Sequence, residues 1–246
     1  MKFSIVIPTY NRKDVLSRAI NSVLAQSFTD WELIIVDDGS TDGTKDFLEK
    51  IQDERIVKIY QENKGRISAR NEGMKKAQGE WICWLDSDDA YLPTYLESLN
   101  KEIERNPDYP IFNFTSLEIN KEIIDGKRYE KRSRIFPVFN LEEEKVGMKH
   151  FDKGNIKTGT FIFKRELSKM MGYMPEATFP YGDDKSFPAQ LAKQDLIYKQ
   201  ICKKNEEGQW LPLGNPWGDD YVMFWTLTRQ FKSKPLDLVL YIHYIR

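Results

Sequence analysis

The chain has 246 residues, with 37 basic and 38 acidic residues for a net charge of −1, and 40% of it is hydrophobic. That apolar content supports a packed core and excludes wholesale disorder, while the balanced charge argues against bulk nucleic-acid binding, which shows as a basic excess. Two cysteines, Cys83 and Cys202, cannot build a disulfide scaffold, and no apolar run approaches the roughly 18 residues of a membrane span.

Taken in order, the first 115 residues alternate strand and helix patterns. Met1 to Pro8 is too short for a signal-peptide core, so a soluble cytoplasmic protein is expected. Phe3 to Ile7 is a continuous apolar run that predicts a strand buried on both faces. Val15, Leu16, Ala19, Ile20, Val23 and Leu24 recur at helical spacing. Glu32 to Asp37 reads as a second strand, ended by the turn-rich Asp38-Gly39-Ser40-Thr41-Asp42-Gly43. Phe47, Leu48 and Ile51 suggest a helix, Ile56 to Tyr60 a third strand and Ile67 to Ala77 another helix. Trp81 to Leu85 makes a fourth strand that runs into Asp86-Ser87-Asp88-Asp89. Strands alternating with helices predict a mostly parallel α/β sheet with helices on both faces and ligands beyond the strands' carboxyl ends.

The second half is less regular. Residues 127–134 carry five bases against one acid and read first as a solvated loop, second as a contact for anionic lipid. Thr158 to Phe163 suggests a strand, Arg165 to Met171 a short helix, Tyr221 to Phe231 a helix, and Leu236, Leu238 and Leu240 a strand. The polar loops between 120 and 220 suggest a substrate-facing second half.

Three strand ends carry polar clusters: Thr9-Tyr10-Asn11, Asp37-Asp38 and Asp86 to Asp89. Carboxylates crowded at a strand end repel one another unless a cation or donors offset them. Mg²⁺ or Mn²⁺ takes one or two such groups plus a substrate diphosphate. The rival reading of Asp86 to Asp89 is an acidic helix start. The segment from Asp38 to Glu49 matches the spacing of an EF-hand calcium loop, but a strand pattern precedes it, and a turn capping the next helix is the better reading. Arg66 and Arg70 open a helix that suits a phosphate or nucleotide and equally reads as a solvated helix start. Gly182-Asp183-Asp184 and Gly218-Asp219-Asp220 each offer an N-cap or a general base. His150 and His243 form no metal pair in sequence, and His243 reads as structural.

In order and spacing, Ile5 to Arg12, Ile34 to Asp42, Asn63-x-Gly65-x-x-x-Ala69-Arg70-Asn71-x-Gly73 and Leu85 to Asp89 resemble the inverting glycosyltransferases of family 2, which have the GT-A fold. The resemblance covers residues 3–115 and implies a nucleotide-sugar-binding half, 1–115, and an acceptor-binding half, 116–246, of one domain. It implies that Pro8, Thr9, Tyr10 and Asp38, helped by Arg70, hold the nucleotide, and that Asp86, Asp88 and Asp89 form the Asp-x-Asp site. Asp88 is the first choice for contact with Mn²⁺ or Mg²⁺ and Asp89 the second. The family's base sits in an acidic pair at a helix head: distance from the Asp-x-Asp site favours Asp184, whereas the helix and strand that follow favour Asp220, the preferred choice. A Gln-x-x-Arg-Trp motif and membrane helices are absent from the sequence, so transfer of a single sugar is expected, to a glycan or lipid-linked acceptor of the cell surface.

Two rivals remain at this level. A sugar-phosphate nucleotidyltransferase needs a Gly-rich basic loop after the first strand, and Thr9-Tyr10-Asn11-Arg12 is not one. A catalytically inactive nucleotide- or glycan-binding module is opposed by the intact Asp-x-Asp site.

Overall fold

A computed structural model describes residues 1–124, 127–136, 158–170, 202–204, 210–212 and 231–244. The first half alternates as expected: β1 (Phe3–Thr9), α1 (Lys13–Leu24), β2 (Trp31–Asp37), α2 (Thr44–Glu49), β3 (Ile56–Tyr60), α3 (Arg66–Lys76) and β4 (Trp81–Trp84). The chain continues through β5 (Ala90–Tyr91), α4 (Tyr95–Arg105), β6 (Ile111–Ile124), β7 (Lys127–Phe136), β8 (Phe161–Lys164) and α5 (Arg165–Met170). Three further strands are β9 (Cys202–Lys204), β10 (Trp210–Pro212) and β11 (Ser233–Tyr244).

Every residue of β1 and β2 is buried, as apolar runs in a sheet covered on both faces require. Successive side chains of a strand point to opposite faces, and the core divides accordingly. Phe3, Ile5, Ile7, Leu33 and Ile35 join Leu16, Ile20 and Val23 of α1 and Leu96 and Leu99 of α4 on one face. Val6, Ile34 and Val36 join Ile67 and Met74 of α3 and Leu167 of α5 on the other. None of α1, α3 and α4 has a side-chain hydrogen bond from its N-cap residue. A cap contributes about 1 kcal/mol and each buried aliphatic side chain about 1.5–3 kcal/mol, so packing, not capping, holds these helices.

The strands form a nine-stranded sheet in the order β3-β2-β1-β4-β8-β6-β11-β5, with β7 paired to β6. β3, β2, β1 and β4 are parallel. β8 then runs antiparallel between β4 and β6, and β11 lies parallel to β6 and antiparallel to β5. Both halves of the sequence therefore build one sheet. The ends of β2, β1 and β4, with their polar clusters, are neighbours along its carboxyl edge.

Several local expectations change. Residues 127–134 are not a loop but part of β7, antiparallel to the outer half of β6. Thr158 to Thr160 is a turn of 3-10 helix that precedes β8, so that strand is shorter than its apolar pattern. Asp86 to Asp89 does not open a helix: it turns into β5, and α4 starts only at Tyr95. Among the described residues no helix is long and apolar enough to cross a membrane.

Candidate functional site

The site begins where β1 and β2 end side by side, with Thr9 in register with Asp37. Asn11 takes a left-handed backbone (φ 50°), a conformation in which Asn is several-fold enriched among non-glycine residues. There its N–H donates to Ser40 Oγ at 2.9 Å, and its Oδ1 accepts from the Thr41 N–H at 2.7 Å. Asp37 Oδ1 accepts from the Ser40 N–H. Asp42 takes the N–H groups of Lys13 and Thr44. Burial pushes the Asp42 carboxyl up, but hydrogen bonds from the Thr44 hydroxyl and from the Lys13 and Thr44 amides outweigh it and hold the group below the ordinary carboxylate range. The loop is thus a helix-capping turn joined to the end of β1, and the strand before it excludes the EF-hand geometry.

Asp38 is buried, and its carboxylate organises the start of α3. Oδ1 accepts from Gln61 Nε2 at 2.6 Å and the Lys64 N–H at 2.9 Å, and Oδ2 accepts from the Gly65 N–H at 2.9 Å. The chain must pass close by: a Cβ on Gly39, at φ +79°, would lie 2.8 Å from the Asn63 nitrogen. One turn further along α3, the fully buried Arg70 donates from Nη2 to Asp86 Oδ1 at 2.9 Å and lies 5.0 Å over the Trp84 ring. α3 and the two residues just before it therefore bond to both the β2 end and the β4 end. Of the other predicted residues, Pro8 and Thr9 are buried at the end of β1, Thr9 Oγ1 has no hydrogen-bond partner among the described residues, and Tyr10 is exposed.

Asp88 and Asp89 differ sharply although adjacent. Asp88 is half-buried; burial pushes its carboxyl above the ordinary range, Asp89 adds to the push, and the charges of Arg12 and His243 oppose it. Asp89 is fully buried and faces the end of β11. Its Oδ2 accepts from the Tyr241 hydroxyl and lies 3.0 Å from His243 Nδ1, and its Oδ1 accepts from the Tyr244 N–H at 3.0 Å. Sequence reading missed this contact, although Tyr241 and His243, two apart in an alternating strand, share one face. Gly159 lies against Tyr241: a Cβ there would come within 1.6 Å of the ring. Gly159→Ala is accordingly expected to cost about 1–3 kcal/mol by overpacking, or roughly 2–10 °C in Tm. A thermal scan showing an unchanged Tm would refute that packing.

The donor set suits a hard divalent ion in one specific sense. Among the described residues no three His, Cys, Asp or Glu gather around a point. Asp86 and Asp88 are half-buried at the sheet edge, and one or two carboxylates are what Mg²⁺ takes when a substrate diphosphate and water complete its shell. The candidate bases Asp184 and Asp220, with Asp183, Asp219 and His150, lie outside the described residues.

Comparison with known proteins bears on family and fold. The family model described as Glycosyl transferase family 2 matches residues 4–169. The chain is 37% identical over 203 residues to the UDP-Glc:alpha-D-GlcNAc-diphosphoundecaprenol beta-1,3-glucosyltransferase WfaP of Escherichia coli, a match covering 82% of this chain and 72% of that one. It is 41% identical over 132 residues to the putative teichuronic acid biosynthesis glycosyltransferase TuaG of Bacillus subtilis, covering 52% of this chain and 50% of that one. The chain thus spans about half the length of TuaG. Among solved structures, S. aureus TarS 1-349 in complex with UDP-GlcNAc superimposes with a TM-score of 0.64 at 21% identity, over 100% of this chain and 59% of that one. The mannosyltransferase PcManGT of Pyrobaculum calidifontis, in complex with GDP-Man and Mn2+, superimposes with a TM-score of 0.59 at 15% identity, over 98% of this chain and 56% of that one. These two likenesses concern the fold.

Proposed function

Because this chain belongs to glycosyl transferase family 2, we propose that it moves one sugar from a nucleotide-diphosphate donor, UDP-linked as first expectation, to an acceptor hydroxyl with inversion at the anomeric carbon. The observation that carries the reading is the single carboxyl edge on which α3 and the two residues just before it bond both to Asp38 and, through Arg70, to the Asp86–Asp89 loop. Pro8, Thr9 and Tyr10 line the end of β1 next to that edge, where base and ribose would lie, and the Asp38 carboxylate orders the loop beside them. Asp88 would hold a divalent cation, Mn²⁺ or Mg²⁺, which when bound neutralises charge on the departing diphosphate. Arg70 fixes Asp86 beside it. As the bond from the anomeric carbon to the diphosphate breaks, the acceptor oxygen bonds to the opposite face, and an aspartate of the second half, Asp220 in preference to Asp184, takes the hydroxyl proton.

WfaP is named for a diphosphoundecaprenol-linked acceptor and TuaG for teichuronic acid synthesis. Their names support a cell-surface glycan or lipid-linked acceptor here. That would place the enzyme at the inner membrane face, with the basic strand β7 as the candidate contact.

The test is a thermal-shift panel of UDP, GDP, dTDP and CMP, each with and without Mn²⁺, followed by donor hydrolysis. A ligand that binds only the folded state must raise Tm. A metal-dependent rise with one nucleotide, and slow hydrolysis of its sugar derivative, are expected. No metal-dependent shift with any nucleotide would overturn the reading, and pyrophosphate release from a nucleoside triphosphate and a sugar phosphate would replace it with nucleotidyl transfer.

A further inference from the structure

The segment after Asp86 is held from two sides, by groups that the roles above do not use. On one side, α1 and the residues just past it present Arg18, Ser22 and Gln26, spaced four apart and so on one face of the helix. Arg18 Nη2 donates to the Asp88 carbonyl oxygen. Ser22 Oγ accepts from the Tyr91 N–H at 3.1 Å. Gln26 donates from Nε2 to the Leu92 carbonyl at 2.8 Å and accepts at Oε1 from the Leu96 N–H at 3.0 Å. On the other side, the end of β11 supplies the three partners of the Asp89 carboxylate. The two sides meet where the Arg18 guanidinium stacks 3.5 Å from the centre of the Tyr244 ring.

The peptide joining Asp88 to Asp89 is thereby bonded at its own carbonyl, and the residue after it at its side chain. Both Asp89 oxygens are buried and engaged by the end of β11. We propose that Asp89, Arg18 and Tyr241 are positioning residues that clamp the loop so that Asp88 alone presents its carboxylate to the cation, and that Asp89 is not a ligand. The proposal rests on the glycosyltransferase reading and deepens it. Groups that orient a metal's ligands without touching the metal typically govern its affinity by about 10–100-fold.

The experiment uses the full chain and its Arg18→Met, Tyr241→Phe, Asp89→Asn and Asp88→Asn variants. Two quantities are read below each variant's Tm, Mn²⁺ affinity of the UDP-saturated protein, by electron paramagnetic resonance of free Mn²⁺, and UDP affinity in EDTA, by calorimetry; Tm itself is measured without ligand. Arg18→Met and Tyr241→Phe should weaken Mn²⁺ binding roughly 10–100-fold while UDP affinity in EDTA stays at the wild-type value, a split that mere loss of stability does not produce. Asp88→Asn should abolish Mn²⁺ binding, and Asp89→Asn should only weaken it. Wild-type Mn²⁺ affinity in Arg18→Met and Tyr241→Phe overturns the clamp while the functional reading stands. Abolition by Asp89→Asn to the same degree as Asp88→Asn makes Asp89 a ligand and overturns the assignment. A wild-type protein that binds UDP but never Mn²⁺ overturns this inference together with the metal-dependent step above.

Discussion

Asp88→Asn is expected to lose sugar transfer by a factor on the order of 10³, corresponding to the several kcal/mol that a cation supplies to a departing diphosphate. Nucleotide affinity in EDTA should hardly change, because the Asp38 loop and β1 do not depend on Asp88. In EDTA the variant should also be the more stable protein. Burial and the neighbouring Asp89 push the Asp88 carboxyl above its ordinary range, so its ionised form is less favourable in the folded chain than in the unfolded one. That penalty is present above the raised pKa and fades as the pH falls through it toward the unfolded value. The Asn variant should therefore melt higher than wild type at neutral pH, with the gap closing in acid. Equal Tm values at neutral pH would show that the penalty is absent, and retained Mn²⁺-dependent transfer would remove Asp88 from the site. A functional group held at a cost in stability is the usual trade at an active site.

Asp220→Asn should lower kcat by roughly 10²–10⁴, the contribution of a positioned general base, and leave the thermal shift by UDP and Mn²⁺ intact. Asp184→Asn should keep most activity. The preference rests on the sequence after Asp220, a helix pattern over Tyr221 to Phe231 and then a strand, as the family resemblance implies. Single-turnover transfer with both variants checks it: full activity in Asp220→Asn and loss in Asp184→Asn would reverse the assignment.

Much of the first half was legible because its signals are local. The apolar run Phe3 to Ile7 and the stripe Leu16, Ala19, Ile20 and Val23 specify a buried strand and a helix through periods of two and 3.6 residues, and both formed where expected. The turn at Asp42 to Thr44 was legible from its side-chain chemistry, since Asp caps the N–H two residues on. The basic run at 127–134 was misread as a loop because charge masks strand periodicity; the pairing of β7 with β6 is a long-range choice that composition does not report.

The sequence by itself determined the parallel first half, the family, and the carboxylates available at its sheet edge, because periodicity and motif spacing are properties of neighbouring residues. Tertiary structure alone decided which of those carboxylates is buried. Asp88 and Asp89 are chemically identical and adjacent in the chain. They part only because a strand more than 150 residues later ends on one of them: three polar groups of β11 surround the Asp89 carboxylate away from solvent, while Asp88 stays at the edge. A buried carboxylate is stable as an anion only when donors replace its water, and where those donors come from is settled by the register of β11 against β5 and β6.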